Sequence, residues 1–329
     1  MPASSAPSTE VAAAARRQRL GPWLGVLGVV IFAFSIPMTR LASGSRGAPQ
    51  LDPVFVALGR AGVAGLLSAA WLALTRAPRP QAAQWPGLAL TAAGVVFGWP
   101  LLLGWAVREV DAMHAAVVTG LLPLATAAIA ALWLRQRATP GFWACAVAGS
   151  ALVIAVAAWR GAGRVQPADG LLLGAVLSAS TGYVAGARLQ TGAHALGPEQ
   201  VISWVLVISL PLTLPVLAWR WPAQPVTAGA WLGFCYVALF SMWIGFFAWY
   251  RGLAWGGTVR VSQVQLLQPF LSMLFSVPLL GETLAPATLG FAVAVMATVF
   301  VGRRLATAPR TMLESSPAAA GRLPARPPP

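Results

Sequence analysis

Residues 253–304 read LAWGGTVRVSQVQLLQPFLSMLFSVPLLGETLAPATLGFAVAVMATVFVGRR. The stretch is an apolar helix with a proline near its start (Pro269), a polar corner at Gly281-Glu282, a second proline (Pro286), and a closing apolar helix that ends on Arg303-Arg304. A helix of about 20 mainly apolar residues spans the hydrocarbon core of a bilayer. The runs 258–280 and 286–304 are each close to that length.

Outward from this stretch the same texture fills the chain. Ten apolar spans stand out, at 22–41, 53–74, 86–107, 112–134, 140–159, 169–189, 199–219, 228–250, 258–280 and 286–304. Each is bounded by Pro, Gly, Arg or a short polar loop. The runs are continuous and do not alternate every second residue, which excludes a membrane β-barrel. The expected fold is therefore an all-α polytopic membrane protein with ten transmembrane helices. Composition agrees: of 329 residues 58% are hydrophobic and 9% charged, against about 25% charged in soluble domains.

The net charge of +14 comes from 22 arginines against 8 acidic residues, with no lysine. A charge this basic suits nucleic acid, but the arginines lie in short clusters between apolar runs, as in a membrane protein, so no nucleic-acid partner is expected. With the N-terminus in the cytoplasm, 15 arginines fall inside, 6 outside, and Arg60 within a span. That bias places both termini in the cytoplasm, in a bacterial inner membrane. Residues 1–20 and 305–329 read as cytoplasmic tails too poor in apolar residues to fold alone. The two cysteines, Cys145 and Cys235, and the two histidines, His114 and His194, show no metal-ligand spacing. No nucleotide-binding glycine loop is present, so neither cofactor, metal nor ATP-driven pumping is expected.

The halves are related. Pro123 and Pro269 lie 146 residues apart, as do Pro140 and Pro286, and Leu121 and Leu134 match Leu267 and Leu280 at that offset. Five spans per half is odd, so the second copy (161–304) enters the membrane from the side opposite to the first (21–160). Inverted five-helix repeats of this kind occur in secondary transporters, with a substrate site near the midplane.

Residues 253–304 also resemble the C-terminal half of an EamA domain, of the drug/metabolite transporter superfamily. Pro269, the Gly281-Glu282 corner and Gly290 carry the resemblance. Residues 106–159 resemble the corresponding half of the first copy, with Arg135-Gln136 where the family usually has Gly-Glu. Arg60 resembles an arginine often found in the first repeat. The resemblance covers about 22–304 and implies ten helices in two inverted repeats, both ends cytoplasmic, and transport of small metabolites.

Ionisable groups at bilayer depth cost about 2.5–3.5 kcal/mol on insertion scales and so mark function. Arg60 is the main one, read either as a fixed charge holding a substrate carboxylate or as an arginine snorkelling to the interface or paired with a loop acid. The eight acids all fall in tails, loops or helix ends. Ion coupling, if present, would use the rim cluster Glu109, Asp111 and His114, or the substrate's own charge. Gln265 and Gln268 share a helix face in the most polar span, and Thr119 aligns with Gln265 at the offset of 146. They serve either substrate or interhelical hydrogen bonds. Trp99, Trp243 and Tyr183 lie deep enough to wall a cavity, and packing is the alternative. Pro123 and Pro269 free backbone carbonyls and open kinks. Gly94-x-x-x-Gly98 and Gly182-x-x-x-Gly186 permit close helix crossings. The expected function is a secondary carrier exporting or exchanging a small polar metabolite, an amino acid or related compound. A lipid-modifying membrane enzyme and a channel-like protein are the alternatives. Small-molecule substrate and lipid are the implied partners, and a homodimer stays open.

Overall fold

The computed structural model describes residues 9–133, 139–160, 166–191, 194–256 and 263–305. Residues 1–8 and 306–329, Leu134, Arg135-Gln136 and Arg260 lie outside the described residues. The described chain forms helices α1 (Thr9–Ser43), α2 (Pro53–Leu74), α3 (Ala82–Glu109), α4 (Ala112–Trp133) and α5 (Pro140–Arg160). They are followed by α6 (Pro167–Arg188), α7 (Pro198–Trp219), α8 (228–256), α9 (263–280) and α10 (Pro286–Leu305). No strand occurs among the described residues. Seven of these helices are long and apolar enough to cross a membrane, and three shorter apolar ones cover Pro140–Ala155, Val264–Leu280 and Pro286–Gly302. The protein is thus an all-helical polytopic membrane protein.

Proline and glycine set the boundaries. Proline stands at the first helical position of α2, α5, α6, α7 and α10, where its missing N–H costs nothing. Helix α9 ends on Gly281, which takes φ +67° and donates its N–H to the Val277 carbonyl at 3.0 Å. Only glycine enters that left-handed turn without strain. Helix α1 begins at Thr9, earlier than an unstructured tail to residue 20 predicts. The segment after Thr9 is alanine-rich, and alanine is the best helix former.

Helix α4 is broken. Its first segment, Ala112–Thr119, stops at Gly120, and a second segment runs Leu122–Trp133. Pro123 has no N–H to return to the Thr119 carbonyl, so the ladder lapses there. Helices α3 and α8 each carry a wide π-helical stretch, Ala92–Gly98 and Tyr236–Ile244. Shifted by 146 residues, the first falls within the second. Side-chain bonds follow the same relation. Thr126 on α4 bonds the Ser180 hydroxyl of α6 at 3.1 Å, and its offset partner Ser272 on α9 donates to the Ala33 carbonyl of α1 at 2.7 Å.

Two backbone approaches tie the bundle. Gly94 of α3 meets Gly182 of α6, and Gly252 of α8 meets Gly25 of α1. The close packing lets helices associate where no hydrophobic force separates core from lipid. One core cluster joins α4, α6, α9 and α10 through Val117, Leu172, Met273 and Val295. A second joins α2, α3, α7 and α8 through Ala61, Val96, Val205 and Met242.

The helix ends sort into two groups by their polar contacts. At one end Asp52 faces Arg220 at 3.8 Å, Arg46 pairs with Glu109 at 3.1 Å, and Gln50 accepts from Thr227 at 2.9 Å. At the other, Arg251 pairs with Glu199 at 2.9 Å, Gln84 donates to the His194 carbonyl at 2.8 Å, and Thr139 donates to the Leu305 carbonyl at 2.5 Å. Each of these contacts joins connections that alternate along the chain.

Candidate functional site

Between the two core clusters lies a narrow cavity of about 40 Å3, smaller than the usual small-ligand site. Helix α1 contributes Phe32, Ser35 and Ile36, α2 Arg60, α3 Val95 and Trp99, and α4 Leu122. Helix α6 contributes Tyr183, α8 Ser241 and Phe246, and α9 Gln265 and Gln268. Both halves of the chain therefore supply the wall. Val95 and Ser241 are offset partners, as are Leu122 and Gln268, so the wall repeats in position while its chemistry differs. The second copy places a hydroxyl and an amide where the first has valine and leucine.

Arg60 is the one charged residue in this wall and is only 4% exposed. Its Nη2 donates to the Met242 sulfur at 3.2 Å, and its Nε is buried with no hydrogen-bond partner. Asp52, two turns before it, is engaged elsewhere: it caps α2 by accepting from the Val54 and Phe55 N–H groups and faces Arg220. Among the described residues no carboxylate makes an ion pair with Arg60. A thioether is a weak acceptor, so the guanidinium keeps unused donors in the cavity wall. Its side chain is buried in the bundle rather than exposed on the surface.

Of the residues singled out from sequence, Arg60, Trp99, Tyr183, Gln265 and Gln268 converge on this one cavity. Thr119 does not reach it; its hydroxyl bonds back to the Ala115 carbonyl at 2.7 Å, as threonine does inside helices. Trp243 packs against Phe247 and the α2/α3/α7/α8 core. Its neighbour Ser241 lines the cavity because the π stretch widens the turn and re-aims it. Phe32, Ser35, Ile36, Val95, Leu122, Ser241 and Phe246 were missed, although the offset of 146 would have selected Val95 with Ser241 and Leu122 with Gln268.

The rim cluster is taken apart. Glu109 pairs with Arg46 at the surface. His114 turns inward, and its Nε2 lies 2.6 Å from Asp169 Oδ1, with both side chains 4% exposed or less. Asp111 starts α4. Asp169 does stand at a helix end, but burial there makes it a second interior acid–base group. Its spacing from His114 in sequence hid the pair. The proline pair also has distinct surroundings: Pro269 packs near Gly120 at the α4 break, and Pro123 begins the second α4 segment.

The Gly281-Glu282 corner has a local reason. After the left-handed Gly281 the chain delivers the Glu282 carboxylate onto the start of α4, where it accepts from the Ala112 N–H at 2.7 Å and the Met113 N–H at 2.9 Å. It thus satisfies two of the donors a helix start leaves open. Burial raises the Glu282 carboxyl above its ordinary value, against the two N–H bonds and Arg40, which act the other way. A carboxyl raised in the folded state binds its proton more tightly there than when unfolded. Its contribution to stability is thus largest at acid pH and is lost as pH rises through the folded value. We expect the melting temperature of the wild type, relative to Glu282→Gln, to rise as pH falls from about 7 to about 4. A constant difference across that range contradicts this reading of the corner.

Sequence comparison agrees with this architecture. The model of the EamA-like transporter family matches residues 19–158 and again 166–302. The protein named "Uncharacterized transporter YdeK" of Bacillus subtilis (strain 168) is 42% identical over 287 residues, covering 86% of this chain and 97% of that protein. A "Probable terminal-alkyne amino-acid exporter" of Streptantibioticus cattleyicolor is 26% identical over 287 residues, covering 86% of this chain and 93% of that protein. A solved crystal structure superposes with a TM-score of 0.58 at 20% identity, over 87% of this chain and 99% of that one, and shares the fold. With two matches of the family model across an all-helical membrane bundle, the chain belongs to the EamA-like transporter family and is a membrane transporter, not an enzyme.

Proposed function

We propose that the protein is a secondary carrier that exports or exchanges a small carboxylate-bearing metabolite, an amino acid or a related compound, by alternating access. The observation that carries the reading is Arg60, a buried guanidinium without an acidic partner among the described residues, in a cavity walled by both halves. A carboxylate would satisfy its free donors. Gln265, Gln268, Ser35 and Ser241 offer hydrogen bonds to an amino group, and Phe32, Trp99, Tyr183 and Phe246 an apolar wall. The amino-acid exporter among the relatives supports the same class.

All ten helices cross the membrane in this reading, as inverted halves 21–160 and 161–304 between cytoplasmic segments 1–20 and 305–329, in a bacterial inner membrane. The alternating end contacts, the two π stretches and the Thr126/Ser272 relation support it. Glycine-tight pairs α1/α8 and α3/α6 exchange under the inversion, as two rocking halves require.

Exchange in vesicles tests the substrate class. Protein-containing vesicles loaded with unlabelled neutral L-amino acids are expected to take up the labelled compound and to ignore the matching decarboxylated amine. Equal exchange of the amine, or exchange of neither, overturns the proposal.

A further inference from the structure

His114 and Asp169 are not part of the cavity, and the transport reading leaves them unused. They are brought together across 55 residues at the ends of α4 and α6 that the proposed orientation places outside. The Nε2–Oδ1 distance is 2.6 Å. The second Asp169 oxygen accepts the Gln166 N–H at 2.8 Å. His114 Nδ1 is buried without a hydrogen-bond partner. Two polar side chains this deeply buried are costly unless they are bonded to each other or to a proton.

Their placement on a broken helix matters. His114 sits on the outer segment of α4, which ends at Gly120 before the kink of Pro123. Just past that break, Leu122 lines the cavity. Polar contacts that tie the outer segment to the bundle include the His114–Asp169 contact to α6 and the Glu282 cap from the α9–α10 corner. All eight residues of that segment are buried in the core, so the His114–Asp169 contact joins two packed helices, and its strength sets how often the segment opens. The pair is not duplicated. The offset partner of Asp169 is Trp23, which is exposed, and that of His114 is Arg260, outside the described residues.

We propose that His114 and Asp169 form a proton-binding site that latches the outer segment of α4 to α6, and so ties opening of the cavity's outer mouth to external pH. Uptake of one proton from outside water turns an imidazole–carboxylate hydrogen bond into an imidazolium–carboxylate pair. Only an N–H bond forms, and it breaks when the proton returns to water. The charged pair is the stronger bond, and imidazole is the side chain that ordinarily titrates between about pH 5 and 8. The charged groups nearby are Asp111 just before α4, Glu282 at the cap of the same segment, and Arg40 on α1, which bonds the Val107 and Val110 carbonyls, while Glu109 turns to Arg46. The Arg160 side chain and Arg164 lie outside the described residues.

The latch is tested without substrate, so its failure is separable from that of the carrier reading. Amide hydrogen exchange of residues 112–119 in nanodiscs, corrected for intrinsic rate, is followed from about pH 8 to about pH 5. Protection is expected to rise about fivefold in the wild type, as a neutral bond becomes a charged one. In a Glu282→Gln background, which removes the corner carboxylate's own pH dependence, it is expected to stay flat in both His114→Gln and Asp169→Asn, which keep a hydrogen-bonding group in place. Glu282→Gln separates the corner carboxylate and is expected to retain the rise. Helix α2 serves as an internal control for global stability. A flat wild-type profile overturns the proposal, as does a rise that persists in either His114→Gln or Asp169→Asn in that background. If one of these variants does not fold, the other decides.

Discussion

Arg60→Met abolishes exchange of carboxylate-bearing solutes while the protein remains as thermostable as the wild type, or becomes more so. That is the expected result, and its two halves have one cause. A buried cation with a sulfur for its nearest partner has lost its hydration and regained little. Replacing such a group with an apolar one of similar length is often neutral or stabilising. The same unspent donors hold the substrate. A hydrogen bond to a charged group contributes about 1.5–3 kcal/mol, and 1.4 kcal/mol is a factor of ten. A two-bond contact to a carboxylate therefore weakens about a hundredfold or more when the guanidinium goes. Arg60→Lys keeps the charge but not the planar fork, and about a tenfold loss is expected. Asp52→Asn separates this account from one in which Arg60 pairs with the acid two turns earlier. Because Asp52 faces Arg220, its loss should leave exchange near wild type. Counterflow rates and melting curves on the same preparations measure both halves. Full exchange in Arg60→Met removes the site.

Gly94→Ala is expected to cost about 3 kcal/mol or more, at the upper end for overpacking, and to leave little monodisperse protein. A Cβ at Gly94 would stand 2.4 Å from the Ser178 carbonyl oxygen and 2.8 Å from the Gly182 Cα and N. All three atoms are backbone, so no side chain can rotate away. Helix α3 must separate from α6, and the separation propagates to Trp99 and Tyr183, one on each helix, across the cavity. Gly182→Ala should be milder, since its Cβ would meet backbone only at 3.1 Å (Gly94 Cα) and 3.2 Å (Thr91 carbonyl oxygen), contacts that a small shift relieves. Gly290→Ala is the contrast. Nothing lies within 4 Å of a Cβ there, and alanine in a helix interior gains up to about 1 kcal/mol over glycine. Yield by size exclusion and melting temperature in detergent rank the three. Wild-type behaviour of Gly94→Ala contradicts the close crossing.

The two cases divide what could be read from the chain. The depth of Arg60 in its span follows from counting residues after Pro53, and it reaches the cavity. The Gly94-x-x-x-Gly98 spacing is equally visible, but its partner on α6 is not, because Gly-x-x-x-Gly motifs also occur at Gly170 and Gly21. The rim cluster shows the reason more sharply. Glu109, Asp111 and His114 lie within six residues, yet Glu109 turns to Arg46 and His114 to Asp169.

Apolar length and proline and glycine punctuation are properties of neighbours along the chain, so sequence alone determined the all-helical membrane fold and the proline break in α4, and the two family matches agree with its reading of two related halves. Which faces meet was decided only by the tertiary structure. In a bilayer the core-facing and lipid-facing sides of a helix are alike in hydrophobicity, and no periodicity in the sequence distinguishes them. The convergence of Arg60 with Gln265 and Gln268, the burial of His114 against Asp169 and the capping of α4 by Glu282 all depend on packing between segments far apart in the chain.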